Sequence, residues 1–138
     1  ARTRSTSIRV LLEQNSAMIG GYSVPATPAR SPSKYRNRKT VVDGITFDSA
    51  KEARRWTDLK LMEKTGIIRN LCRQIVFVCE VNGIRICRYI ADFTYLEQPS
   101  GKNIWFGVVE DCKGMRTQSY LLKKKLMLAC HGVEIRET

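Results

Sequence analysis

The chain of 138 residues has one histidine, no clustered cysteines and no long apolar run, and each absence excludes a class of protein. His131 beside Cys130, without any CxxC pair, supplies at most half of a zinc site. The five cysteines are scattered and odd in number, which favours reduced thiols and a cytoplasmic protein. No apolar run approaches the roughly 18 residues of a membrane span, and the N-terminus lacks a signal-peptide core. We therefore expect no membrane partner.

Acidic residues are scarce, and the positive charge is unevenly spread. The formal net charge is +11, and residues 1–40 hold eight basic side chains against one acid. Residues 1–38 also lack the apolar density of a core, so they predict a flexible basic arm, with one globular domain over residues 39–138. A basic chain attracts polyanions, which makes nucleic acid the first partner to consider.

The body begins with a hairpin signal and a helix signal. TVVDGITF places Asp-Gly between β-branched residues, which predicts two short strands joined by a tight turn. The next run predicts a helix from about Ala50 to about Lys64, capped by Asp48 or Ser49 and stopped at Gly66.

The second half predicts strands, a second helix and a last strand. IVFVCEV, IRICRYIADFTYLE and NIWFGVVEDCK are separated by turn residues and predict an antiparallel meander. TQSYLLKKKLMLACHG predicts a helix stopped by Gly132, and VEIRE a final strand. The predicted fold class is therefore α/β, with a central mixed sheet that carries its helices on both faces or on one.

Two acids and a lysine crowd together at the end of one predicted strand, VVEDCK. Alternation of side chains puts Asp111 and Lys113 on one face and Glu110 on the other. In a meander, Asp92 at the end of the neighbouring run can approach Asp111. Ile86, Arg88 and Ile90 share the side of Asp92, in a run otherwise suited to burial.

A pair of close carboxylates is tolerable mainly when a cation neutralises it. A small number of oxygen ligands suits Mg²⁺, which keeps several waters and binds substrate phosphate oxygens. A lysine beside the pair can orient a water molecule or stabilise charge that develops on phosphorus.

The motifs IADF and EDCK resemble the PD-(D/E)xK nuclease superfamily, with Asp92 and Asp111 as the acids and Lys113 as the lysine. The predicted element order is similar to that superfamily's restriction-endonuclease-like αβββαβ core. KTVVDGITFDSAKEARRW, YIADF, VVEDCKG and YLLKKKL are similar to small phage-encoded proteins classed as nucleases of this superfamily. This resemblance spans roughly residues 34–137, and the proline of the motif is replaced by Ala91.

The resemblance implies an endodeoxyribonuclease that depends on Mg²⁺ or Mn²⁺. Archaeal-type Holliday-junction resolvases, more distantly similar, add a glutamate from the first helix, and Glu52 is the matching position. Asp92, Asp111 and Glu52 would then hold metal, and Lys113 would complete the catalytic set. The implied task is structure-selective cleavage of branched or junction DNA, or of a single-strand/double-strand boundary, in phage replication or recombination, with a homodimer as one arrangement.

Each assignment has an alternative from the residues themselves. Glu52 fits an S-x-x-E capping box with Ser49. Asp92 could pair with an arginine, and Asp111 with Lys113 could be a surface ion pair. A shift of the motif by one residue would make Glu110 the ligand.

Several basic residues near these motifs are candidates for DNA phosphate contact, or for a solvated helix face. They are Arg54, Arg55, Arg116, Lys123, Lys124 and Lys125. No base-reading element is evident. The competing function is a DNA-binding accessory protein of recombination or packaging that has the same fold and no catalysis.

Overall fold

The structure is a computed structural model, and it describes residues 38–113 and 115–138. The basic arm predicted over residues 1–38 falls almost wholly outside this range. Eight elements follow one another along the described chain: β1 (Thr40–Val42), β2 (Ile45–Phe47), α1 (Ala50–Lys64), β3 (Ile68–Val81), β4 (Ile84–Glu97), β5 (Phe106–Asp111), α2 (Gln118–His131) and β6 (Ile135–Glu137).

Local sequence explains where these elements begin and end. Asp43 and Gly44 both have positive φ, at 50° and 74°, as the tight turn between β1 and β2 requires. The side chain of Ser49 accepts a hydrogen bond from the Glu52 amide at 3.1 Å and caps α1. Gly132 ends α2 in the left-handed conformation. The predicted hairpin and both predicted helices are confirmed.

The strands form a mixed four-stranded sheet with the order β3-β4-β5-β6 and a separate two-stranded sheet of β1 and β2. β3, β4 and β5 pair antiparallel, whereas β5 and β6 are parallel and are connected through α2. The predicted α/β class with a mixed sheet is confirmed. β3 begins seven residues before the predicted run, and β5 is shorter than predicted.

The two helices cover opposite faces of the sheet, which settles the alternative that the sequence left open. On one face α1 packs through a cluster that contains Phe47, Trp56, Leu59, Phe93, Tyr95 and Val108. On the other face α2 packs through a cluster that contains Phe77, Tyr89, Ala91, Val109, Met127 and Ile135. Within residues 38–113 and 115–138, neither helix has the length and apolar character needed to cross a membrane.

The alternation of side chains along β4 reverses at Asp92. Ala91 belongs to the cluster under α2, yet Phe93, two residues later, belongs to the cluster under α1. The register pairs Ala91 with Ile75 and Phe93 with Arg73, so Gln74 lies opposite Asp92. Gln74 has a φ of 52°, and a residue in this conformation bends its strand. Asp92 therefore stands where two strands exchange faces.

The side of β4 that carries Ile86, Ile90 and Asp92 was expected to suit burial. Ile86 and Ile90 are about half exposed, at 52% and 50%. The buried residues of this stretch are Tyr89 and Ala91, on the face under α2. The expectation was therefore wrong for the side that carries Ile86 and Ile90, and the opposite side of β4 is the buried one.

Candidate active site

Asp92 and Asp111 lie opposite each other where β4 and β5 separate. The β4–β5 ladder ends at the pair Phe93 and Glu110, so the next positions of the register are Asp92 and Asp111. Beyond them, the Cys112 amide donates a hydrogen bond of 2.8 Å to Oδ2 of Asp92 instead of to the backbone of β4. The Asp92 side chain thus takes the place of a backbone acceptor, and this hydrogen bond fixes the Asp92 carboxylate where β4 and β5 separate.

Asp111 is fully buried but only half satisfied. The hydroxyl of Tyr89 donates a hydrogen bond of 2.6 Å to its Oδ2. Nζ of Lys113 is 3.2 Å from Oδ1, but Oδ1 makes no hydrogen bond within the described residues. We interpret the lysine contact as charge attraction without hydrogen-bond alignment. A buried carboxylate oxygen without a hydrogen bond is costly, so this oxygen is the best-placed atom of the site to receive a ligand.

Ionisation of Asp92 is unfavourable at this position. Burial first, and then the neighbouring Asp111 carboxyl, raise the pKa of Asp92 to about 8, against the opposing effect of the Cys112 amide. At neutral pH Asp92 therefore retains its proton when nothing else neutralises its charge. A divalent cation could take the place of that proton.

Glu52 is buried, but it approaches from the other side of the sheet. It lies on α1, which covers the face of Phe93, whereas Asp111 shares the face of Val109 under α2. Burial, together with the charges of Asp48 and Asp111, raises the pKa of Glu52, although the Asp48 amide and Arg73 oppose the shift. Its charge thus reaches the site, while its backbone amide serves the Ser49 cap.

Glu110, the other acid of the doublet, is fully engaged elsewhere. Arg55 donates to Oε1 at 2.5 Å and to Oε2 at 2.9 Å, in a bidentate pair. Tyr95 donates to Oε2 at 2.6 Å, and Thr138 to Oε1 at 3.2 Å. Both oxygens therefore carry two donors each, on the α1 face. This geometry leaves Asp111, and not Glu110, beside Asp92.

The basic residues that the sequence nominated for DNA contact separate into three groups. Arg55 is occupied by Glu110, and both Arg116 and Lys124 form ion pairs with Glu137. Arg54 and Lys125 are exposed. Lys123 lines a cleft together with Lys113. The three consecutive lysines of α2 thus have three different environments.

Sequence reasoning missed the tyrosines that hold the two acids. Tyr89 is buried, and its hydroxyl donates a hydrogen bond to Asp111. Tyr95 does the same for Glu110 on the opposite face. The available signal was modest: a buried tyrosine hydroxyl needs a partner, and each lies on a strand beside the doublet.

Two acids of the site, Asp92 and Asp111, are the candidates for holding a hard divalent cation. Among the residues that the structure describes, no three His, Cys, Asp or Glu side chains converge to hold a metal ion. Mg²⁺, however, is commonly held by one or two carboxylates, with waters and phosphate oxygens completing its shell. The unsatisfied Oδ1 of Asp111 and the raised pKa of Asp92 fit this arrangement. Asp92 and Asp111 are the residues that would hold the ion.

The fold is that of an α/β protein with a mixed sheet and one helix on each face. At the gap between β4 and β5 this sheet brings two carboxylates and a lysine close together. The chain belongs to the family described as "Protein of unknown function (DUF1064)", which matches residues 32–137. The comparisons with curated proteins and with solved structures gave no match.

Proposed function

We propose that this protein is a metal-dependent DNA nuclease that hydrolyses phosphodiester bonds. The observation that carries the proposal is the meeting of Asp92 and Asp111 across a strand gap, with Lys113 3.2 Å from the unsatisfied oxygen of Asp111. The order of one helix, three antiparallel strands, a second helix and a parallel strand supports a restriction-endonuclease-like core.

Each residue of the site has a distinct task in this proposal. Asp92 and Asp111 would hold Mg²⁺ or Mn²⁺, which when bound neutralises phosphate charge and makes water more acidic. Tyr89 keeps Asp111 aimed into the gap. Lys113, whose side chain is 33% exposed, reaches from Asp111 to solvent, where it can meet the phosphate that is attacked or the incoming water. The resemblance implies Glu52 as a third metal ligand, and its charge acts on Asp111 from the α1 side.

The charge of the chain favours contact with the DNA backbone without reading of bases. The formal net charge of +11 predicts binding that weakens steeply with salt. Branched or junction DNA, or a boundary between single and double strands, is the substrate class that we propose, in phage replication or recombination, with a homodimer where two cuts are needed.

Metal uptake and cleavage test this function separately. We expect the protein to bind Mn²⁺ in calorimetric titration and to cut labelled branched DNA with Mg²⁺ or Mn²⁺ but not with EDTA. Asp111→Asn should abolish both, and Lys113→Ala should abolish cutting while cation binding remains. Glu134→Gln removes an exposed acid of the same domain and is the matched control. Cutting that survives Asp111→Asn would refute the assignment.

The second candidate function is a DNA-binding accessory protein without catalysis. The observation in its favour is that, over the described part of the chain, no third ligand joins the two acids. Binding of branched DNA without cation uptake or cutting under any metal would support this function over the nuclease.

A further inference from the structure

A cleft of about 530 Å³ lies directly beside the candidate active site, between β4 and the start of α2. β5 pairs with β4 only from Phe93 to Glu97, so within residues 38–113 and 115–138 no strand pairs with the earlier part of β4 on that edge. The cleft occupies this gap. Its lining includes Arg88, Lys113, Ser119, Tyr120 and Lys123.

The charged residues that line this cleft within the described part of the chain are all basic. They are Arg88, Lys113 and Lys123. Neither Arg88 nor Lys123 forms an ion pair with an acid of residues 38–113 or 115–138. Like charges around a concave surface repel one another, and an anion relieves that repulsion.

The cleft and the acid pair share Lys113. Its ammonium group is 3.2 Å from Oδ1 of Asp111 and 5.1 Å from the centre of the Tyr120 ring, so it stands between the two sites. An anion held by Lys113 and Lys123 would therefore lie next to any group bound at Asp111. Donors from the first turn of the 14-residue helix α2, which Thr117 caps, add positive potential on the same side.

The geometry points to a binding site for one backbone phosphate of DNA, formed by Arg88, Lys113 and Lys123 and adjacent to the phosphate that is cleaved. This inference rests on the proposed function and specifies its substrate contact. The proposed site includes Lys123 but not the two lysines that follow it on α2. Lys124 is paired with Glu137, and Lys125 lines a different groove.

DNA binding in EDTA tests the site without any cleavage. The dissociation constant of a labelled duplex is measured from 50 to 300 mM salt for the wild type, Arg88→Gln, Lys123→Gln and Lys102→Gln. Lys102 is an exposed lysine of the loop between β4 and β5, so its variant removes the same charge away from the cleft. The loss of one phosphate contact lowers the slope of log K against log salt by about 0.9, which is about eightfold in affinity at 0.1 M salt if affinity at 1 M is unchanged. We expect this loss for Arg88→Gln and Lys123→Gln, and an unchanged slope for Lys102→Gln.

Binding of inorganic phosphate and cleavage of DNA are measured beside DNA binding. Equal slopes in all variants, or no binding by the wild type, would overturn the phosphate site. The same follows if Arg88→Gln and Lys123→Gln weaken binding of inorganic phosphate but not of DNA. Urea midpoints must match the wild type, because both side chains lie outside the core. Cleavage with Mg²⁺ is measured separately. If the wild type cuts DNA but all slopes are equal, the phosphate site alone is refuted. If the slopes change as expected but no DNA is cut, the nuclease function alone is refuted.

Discussion

Replacing Arg55 with alanine should destabilise the fold, because it leaves the fully buried carboxylate of Glu110 without its counter-ion. Removal of one partner of a buried ion pair costs about 3–5 kcal/mol. The Arg55 side chain is 25% exposed, so water weakens the pair, and we expect a loss of about 2–3 kcal/mol. Tyr95 and Thr138 would still donate to Glu110, which keeps the loss below the upper limit.

Urea unfolding, followed through the fluorescence of Trp56 and Trp105, measures this loss. With a slope of about 1.5 kcal/mol per molar urea, the expected shift of the midpoint is about 1.3–2 M. Arg54→Ala is the matched control, since Arg54 is the adjacent arginine and is exposed; its effect should stay within about 0.5 kcal/mol. If Arg55→Ala is no more destabilising than Arg54→Ala, the structural role of the pair is refuted.

A second variant separates the lost partner from the stranded charge. In Arg55→Ala/Glu110→Gln the carboxylate becomes a neutral amide that still accepts from Tyr95, so the double variant should recover about 1 kcal/mol or more relative to Arg55→Ala alone. A loss equal to the sum of the two single losses would mean that the side chains do not interact.

The pH dependence gives the same pair an independent signature. Burial opposes ionisation of Glu110, but the hydrogen bonds from Arg55 and Tyr95 outweigh burial and hold its pKa below the ordinary 4.5. A lowered folded-state pKa gives stability that is present above pH 4.5 and lost as pH falls through the lower, folded-state value. Arg55→Ala should therefore lose stability mainly above pH 4.5, and the gap between variant and wild type should narrow in acid.

Three further predictions use the same assays. Tyr89→Phe removes the hydrogen bond to Asp111, so it should cost about 1–3 kcal/mol in urea unfolding and should change Mn²⁺ affinity; unchanged values of both would remove Tyr89 from the site. The raised pKa of Asp92 favours its protonated form in the folded state, so metal-free stability should fall as pH rises from about 3.8 to about 8, and Asp92→Asn should flatten that slope in a pH series of unfolding curves. Met127→Ala, in the core under α2, should cost about 2–5 kcal/mol without changing cation affinity in calorimetry.

Local signals in the sequence were sufficient for the short elements. Asp43-Gly44 fixed the hairpin, and the cap at Ser49 and the glycine after Thr65 bounded α1 at the predicted residues. These features depend on neighbours within four positions along the chain. For that reason they can be inferred without knowledge of the tertiary structure.

The start of β3 and the bend at Asp92 could not be predicted in this way. Asn70 and Gln74 both adopt positive φ inside β3, outside any predicted turn. The predicted strand began only at Ile75, whereas β3 begins at Ile68 and has an irregular register. The tertiary packing of two faces determines this geometry, and it decides which acid stands opposite Asp111.

The parity of a strand predicted that Glu110 and Asp111 face opposite ways, but not which residue neutralises Glu110. The partner of Glu110 is Arg55, 55 residues away on a helix whose face the sequence left open. Arg55 was expected to contact DNA, and its guanidinium is instead used inside the fold. Long-range pairing of this kind needs the arrangement of elements, which composition and spacing do not supply.

The two adjacent acids of β5, Glu110 and Asp111, differ in how fully their buried carboxylates are paired. Glu110 and Asp111 are both fully buried on one strand, yet Glu110 has four donors on two oxygens, whereas Asp111 has one hydroxyl donor and a lysine that is not aligned to Oδ1. The same strand thus satisfies one buried carboxylate completely, so burial at this position does not prevent full pairing. Under the proposed function, a cation bound by Asp92 and Asp111 would correct the deficit at Asp111, and Lys113 joins Asp111 to the cleft that Lys123 lines. If Asp111→Asn proves more stable than the wild type and the wild type takes up no cation, the deficit is mere strain, and this link from structure to function fails.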